Sequence, residues 1–75
     1  MQMGLDQMRL GIQAVVTDIH TAPLLKERLQ DFGCVPGTRV VCRYRSPGGF
    51  VTAVEVRGTV IALRTEDLAG IRVRC

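Results

Sequence analysis

Residues 21–33, TAPLLKERLQDFG, are the only stretch of this sequence that reads as a full helix, so most other apolar side chains must be buried by strands. In a chain of 75 residues that leaves few solutions. A domain this small buries only about 60% of its unfolded surface, so the core has to be compact. An open ferredoxin-like sandwich needs a second full-length helix, and none is written here. Closing a sheet on itself buries one apolar face without leaving long edges. The expectation is a single mainly β domain over residues 1–75 with its core in 10–74: a small, partly closed barrel of five strands, with one α-helix inserted after the first strand.

The helix is bounded by residues with specific conformational roles. Thr21 is placed to cap it, and Pro23 falls in the first turn, where its missing N–H costs nothing. Leu25, Leu29 and Phe32 recur at i, i+4 and i+7 and predict one buried stripe; Lys26, Glu27, Gln30 and Asp31 face water, with Leu24 and Arg28 on the flanks. Gly33 stands where a left-handed C′ residue ends a helix, which makes Cys34 the C″ residue in apolar contact with Leu29. Pro36 and Gly37 then match the central positions of a type II turn.

Strand-like alternation follows. A first strand is read earlier, from Ile12 to about Thr17, and a second in TRVVCRYR, with Val40, Cys42 and Tyr44 inward and Arg39, Val41, Arg43 and Arg45 outward. FVTAVEV and TVIALR form the third and fourth, with Val54, Val56, Ile61 and Leu63 inward, joined by Arg57 and Gly58 as a tight hairpin. TEDLAG reads as one helical turn capped by Thr65, and IRVR as the fifth strand, with Ile71 and Val73 inward. For residues 1–9, carrying Met3, Leu5 and Met8, the pattern does not separate a packed lead-in from a frayed end.

Chemistry is sparsely equipped. His20 is the single histidine and Ser46 the single serine, far apart along the chain, so the parts of a nucleophilic or hydrolytic site are missing and no enzyme is expected. His20, Asp18, Glu27, Asp31 and Cys34 lack the tight spacing of a metal site, and no cofactor is expected. Cys34, Cys42 and Cys75 fit neither a disulfide framework nor a CxxC pair; Cys34 and Cys42 are read as buried, reduced packing residues. One lysine and nine arginines against seven acids give a net charge of +3, a mild excess that suits an acidic protein, a membrane-proximal site or RNA alike. No apolar run is long enough to span a bilayer, and MQMGLDQMRLG lacks the apolar core of a signal peptide, so the expected location is the cytosol.

Two segments carry a family resemblance. LKERLQDFGCVPGTRV and EVRGTVIALRTEDLAGIRV, within a match running from Leu10 to Val73, resemble the FeoA family of bacterial ferrous iron transport. Phe32 and Cys34 stand where leucines are usual, and DIHTAP where a glycine-rich link often precedes the helix. The resemblance implies an SH3-like barrel, also the fold of the C-terminal domain of iron-dependent repressors, although no helix-turn-helix precedes it here. It implies a protein peripheral to the inner membrane and not inserted in it, acting by protein–protein contact on the cytosolic GTP-binding region of the FeoB transporter. Leu24, Leu25 and Arg28 are the expected contact residues, with Arg39, Arg43 and Arg45 as an outward basic stripe that orients the module. The alternative is a basic small-barrel module for nucleic acid; a shortage of aromatics, with only Phe32, Tyr44 and Phe50 and two of them expected inward, weighs against it and against a proline-ligand groove.

Overall fold

The structure, a computed structural model, describes residues 2–75. Its strands are β1 (Gln2–Gly4), β2 (Gln13–Ile19), β3 (Arg39–Arg45), β4 (Val51–Val56), β5 (Thr59–Arg64) and β6 (Ile71–Arg74). Helix α1 (Pro23–Asp31) lies between β2 and β3, and the single turn α2 (Thr65–Leu68) between β5 and β6. All pairings are antiparallel, in the order β1-β6-β2-β3-β4-β5, so β1 and β5 end the sheet without pairing to each other. The gap is stopped by α2, which packs against a 3₁₀ turn at Leu5–Gln7 and buries Leu68 and Leu5.

There are thus six strands and not five, and the full helix follows the second of them. The extra strand comes from the segment that the sequence left open; Met1 lies outside the described residues. Met3 pairs with Val73, and Leu5 and Met8 are core residues, so the core begins ahead of Leu10. It continues through Ala14, Val16, Ile19, Leu29, Val40, Cys42, Val54, Val56, Ile71 and Val73.

Local turn chemistry is as expected around α1. Gly33 has φ of 81°, Cys34 N–H donates to Leu29 O at 2.8 Å, and Gly33 N–H donates to Gln30 O at 2.9 Å, the paired bonds of a Schellman stop. The turn follows, with Gly37 at φ 94° and Thr38 N–H donating to Val35 O at 3.0 Å. Thr38 Oγ1 ties the two together by donating to Gly33 O at 2.9 Å. Arg57 and Gly58, at φ 52° and 80°, make the two-residue hairpin.

The caps differ from expectation. Ala22 is the N-cap of α1 with no side-chain bond, because Thr21 Oγ1 turns to Ala22 O. Thr65 is the first residue of α2 and not its cap, and its hydroxyl bonds Thr52 Oγ1 at 2.8 Å across the buried side of β4. The helical stripe is narrower than its period indicates: Leu29 is buried and Leu25 half-buried, while Phe32, at the C-cap, stays 40% exposed.

The larger correction is in β3. Cys42 pairs with Val54 and Tyr44 with Ala53, so Arg43 is an extra residue and the pairing shifts there. A bulge bends the strand as a barrel requires, and it also reverses which side chains face in. Tyr44 therefore points out, 59% exposed, and Arg45 turns in, where its Nη2 donates to the carbonyls of Asp6 at 2.9 Å and Met8 at 3.0 Å. Val41, expected outward, is buried.

Candidate functional site

Strand β5 is a sheet edge, and α1 stands beside it. Between them runs a cleft in two contiguous parts. One, of about 180 Å³, is lined by Leu25, Arg28, Leu29, Phe32 and residues 61–63; the other, of about 500 Å³, by Leu24, Leu25, Arg28, Ala62, Leu63 and Arg64, with Ala22 and Asp67 at its margin. The sequence explains each wall. Pro23 starts α1 so that Leu24 lands on the rim, 77% exposed, while Leu25 leans toward the core beside Leu29. The two-residue hairpin sets Ile61 and Leu63 inward, beneath the helix.

Electrostatics within the cleft are lopsided. Arg64 is neutralised locally, its Nε 3.2 Å from Asp67 Oδ2 and its Nη1 3.6 Å from Glu66 Oε1. Arg28 has no carboxylate within 4 Å among the described residues, and it lines both parts of the cleft. An apolar trough with one unpaired cation is suited to an apolar ligand that carries a negative group.

Of the six residues expected to meet a partner, the fold brings Leu24, Leu25 and Arg28 together in this cleft. It does not assemble the other three into a stripe. Arg39 is exposed in a separate hollow with Gln13, Val41, Glu55 and Arg57, Arg43 Nε is bound to Glu55 Oε1 at 2.9 Å, and Arg45 is committed to the N-terminal carbonyls. The β5 wall, with Ala62 and Leu63, was missed because sheet order, not periodicity, makes β5 an edge. All three aromatic residues are exposed, Phe50 at 79%, which corrects the expectation that two face inward.

The other chemistry-bearing residues stay apart. His20 Nε2 lies 2.8 Å from Asp18 Oδ2 in an exposed pair, and among the described residues no three His, Cys, Asp or Glu side chains converge on a metal position. Among the described residues no helix is long and apolar enough to cross a membrane. Cys34 and Cys42 are buried and free, and Cys75 is free and exposed. Burial pushes the Cys34 thiol above its ordinary range; at Cys42 burial does the same, opposed by the Arg45 charge and reinforced by Asp6. Thiolate is the reactive form, so Cys75 is expected to react readily with a maleimide while Cys34 and Cys42 wait for unfolding. Mass spectrometry of native and denatured samples reads this directly, and rapid native labelling of Cys34 is the outcome that contradicts a packing role.

Comparison with known proteins agrees with this architecture. The model of the FeoA domain family matches residues 3–75. The FeoA protein of Chlorobium tepidum is 30% identical, with a TM-score of 0.91 over 95% of this chain and 68% of that one. FeoA of Stenotrophomonas maltophilia, solved in complex with zinc and described as a procaryotic SH3 domain protein, is also 30% identical, with a TM-score of 0.83 over 96% and 89%. A manganese-dependent transcriptional repressor, 18% identical, shares the fold alone, with a TM-score of 0.85 over 97% of this chain and 40% of that one. No curated protein matches by sequence.

Proposed function

The chain belongs to the FeoA family, which links it to ferrous iron transport, and from that membership we propose that it is a cytosolic accessory protein of iron uptake that binds the GTP-binding region of a FeoB-type transporter. The observation that supports this reading is the cleft between α1 and β5, an unpartnered apolar surface with Leu24 and Arg28 at its rim. A module of this kind acts by preferring one state of its partner and shifting that equilibrium. It needs no catalytic group and carries no iron itself.

Titration of the protein against the transporter's soluble GTP-binding domain tests the reading. A small patch on a domain of 75 residues is expected to give a dissociation constant in roughly the micromolar range. Leu24→Glu, at an exposed position that leaves the fold intact, is expected to weaken binding about tenfold or more. The nucleic-acid alternative draws on exposed Tyr44 and Phe50 as stacking surfaces. It loses its basic stripe, since Arg43 and Arg45 are engaged elsewhere. Its forecast is also different: affinity for an RNA or DNA oligomer that falls steeply with salt. Tight, salt-sensitive oligomer binding with no response to the transporter domain overturns the transport reading.

A further inference from the structure

The geometry points to strand addition: the cleft takes an extended segment of the partner, which pairs with the free edge of β5, seats apolar side chains against α1 and places an acidic group on Arg28. The inference rests on the transporter reading for the partner's identity, but the recognition mode follows from the backbone.

The hairpin fixes which main-chain groups are available. Val56 and Thr59 flank its two-residue turn, so Thr59, Ile61 and Leu63 direct N–H and C=O toward β4. The same alternation carries on to Thr65, whose N–H donates to Phe50 O at 2.8 Å. Val60 and Ala62 therefore turn both N–H and C=O to the open side, and Arg64 its N–H, its carbonyl being the first acceptor of α2. Ala62 and Arg64 line the cleft itself, opposite Leu24, Leu25 and Arg28. An unpaired edge beside an apolar wall is the combination that β-augmenting domains use: main-chain bonds supply affinity, and pockets for alternate side chains supply selection.

Charge decides between occupants. In an antiparallel pair of two β5 strands centred on Ala62, each copy brings its Arg28, which lines both parts of the cleft next to Ala62 and Leu63, to the same place. Two guanidinium groups then face each other, with no carboxylate within 4 Å of either among the described residues of the free protein. A second copy is thus disfavoured, and a segment carrying a carboxylate is favoured.

The test follows amide hydrogen exchange in the full chain by NMR with two probes. One is the transporter's GTP-binding domain. The other is a seven-residue synthetic peptide of alternating valine and threonine ending in glutamate, with a lysine-ended version as control. Val60, Ala62 and Arg64 are expected to slow about tenfold or more, with Ile61 and Leu63 unchanged, since they are already paired. The glutamate peptide should bind about tenfold tighter than the lysine peptide. Ala62→Pro deletes an N–H that the free fold does not use, a substitution edges tolerate, and should abolish binding while the protein remains folded. If that variant fails to fold, the exchange pattern of the unaltered chain still decides.

Protection of the three amides by the peptide, without binding of the transporter domain, upholds strand addition and refutes the partner. Transporter binding with those amides unprotected does the reverse. Protection without any probe, in a chain that sediments as a dimer, overturns the inference in favour of self-pairing, and no protection by either probe overturns it outright.

Discussion

Leu29→Ala is expected to remove a large part of the domain's stability, about 2–5 kcal/mol, because it deletes a fully buried side chain and leaves a cavity behind. Leu29 is 1% exposed and is the only buried residue of α1. The helix is therefore held to the barrel largely through one side chain, with Leu25 as a half-buried second contact. A protein of 75 residues has roughly 4–11 kcal/mol in total at the usual stability per residue, so the variant is expected to be partly unfolded near body temperature. Leu24→Ala, on the same helix but 77% exposed, is expected to change stability by no more than about 0.5 kcal/mol. Urea denaturation of both variants, with a lowered midpoint and unchanged slope for the first, checks the pair. Equal losses would mean that the rim of the cleft is part of the core and not a surface held out for a partner.

That contrast also marks what could be read from the sequence. The helix stop, the type II turn and the hairpin were legible because each is decided within a few residues: Gly33, Gly37 and Gly58 occupy the positive φ values that favour glycine. The N-terminal strand was not, because Gln2–Gly4 is too short to show alternation and its partner, Arg72–Arg74, lies at the other end of the chain. Inward assignments held in β4, β5 and β6, none of which carries an inserted residue, and failed at Tyr44 and Arg45, where the extra residue Arg43 inverts the period of β3. Tyr44 and Arg45 changed sides together for that single reason. The candidate site divides along the same line. Its helical wall follows from the spacing of Leu24, Leu25 and Arg28, whereas its strand wall depends on β5 being last in the sheet, which only the tertiary pairing decides.

Arg45→Met is the substitution that most directly exposes this inversion, and it is expected to cost about 2–4 kcal/mol, the loss of two hydrogen bonds from a charged donor. Its guanidinium holds the carbonyls of Asp6 and Met8, and so fixes the turn that carries Leu5 and Met8 into the core. Arg43→Met, at the extra residue of the bulge, breaks only the exposed pair with Glu55 and is expected to cost no more than about 1 kcal/mol. Thiol labelling separates local opening from general weakening. Cys42 lies beneath this segment, its Sγ 3.7 Å from Leu5 O, whereas Cys34 is packed at the end of α1. Removing Arg45 also removes the charge that draws the Cys42 thiol downward, so chemistry alone makes Cys42 less reactive in the variant. Faster labelling of Cys42 with Cys34 still protected can then arise only from release of the N-terminal strand. If both thiols keep their native rates and the unfolding midpoint does not move, Arg45 is not the clamp on that strand, and its place in an outward basic surface has to be restored.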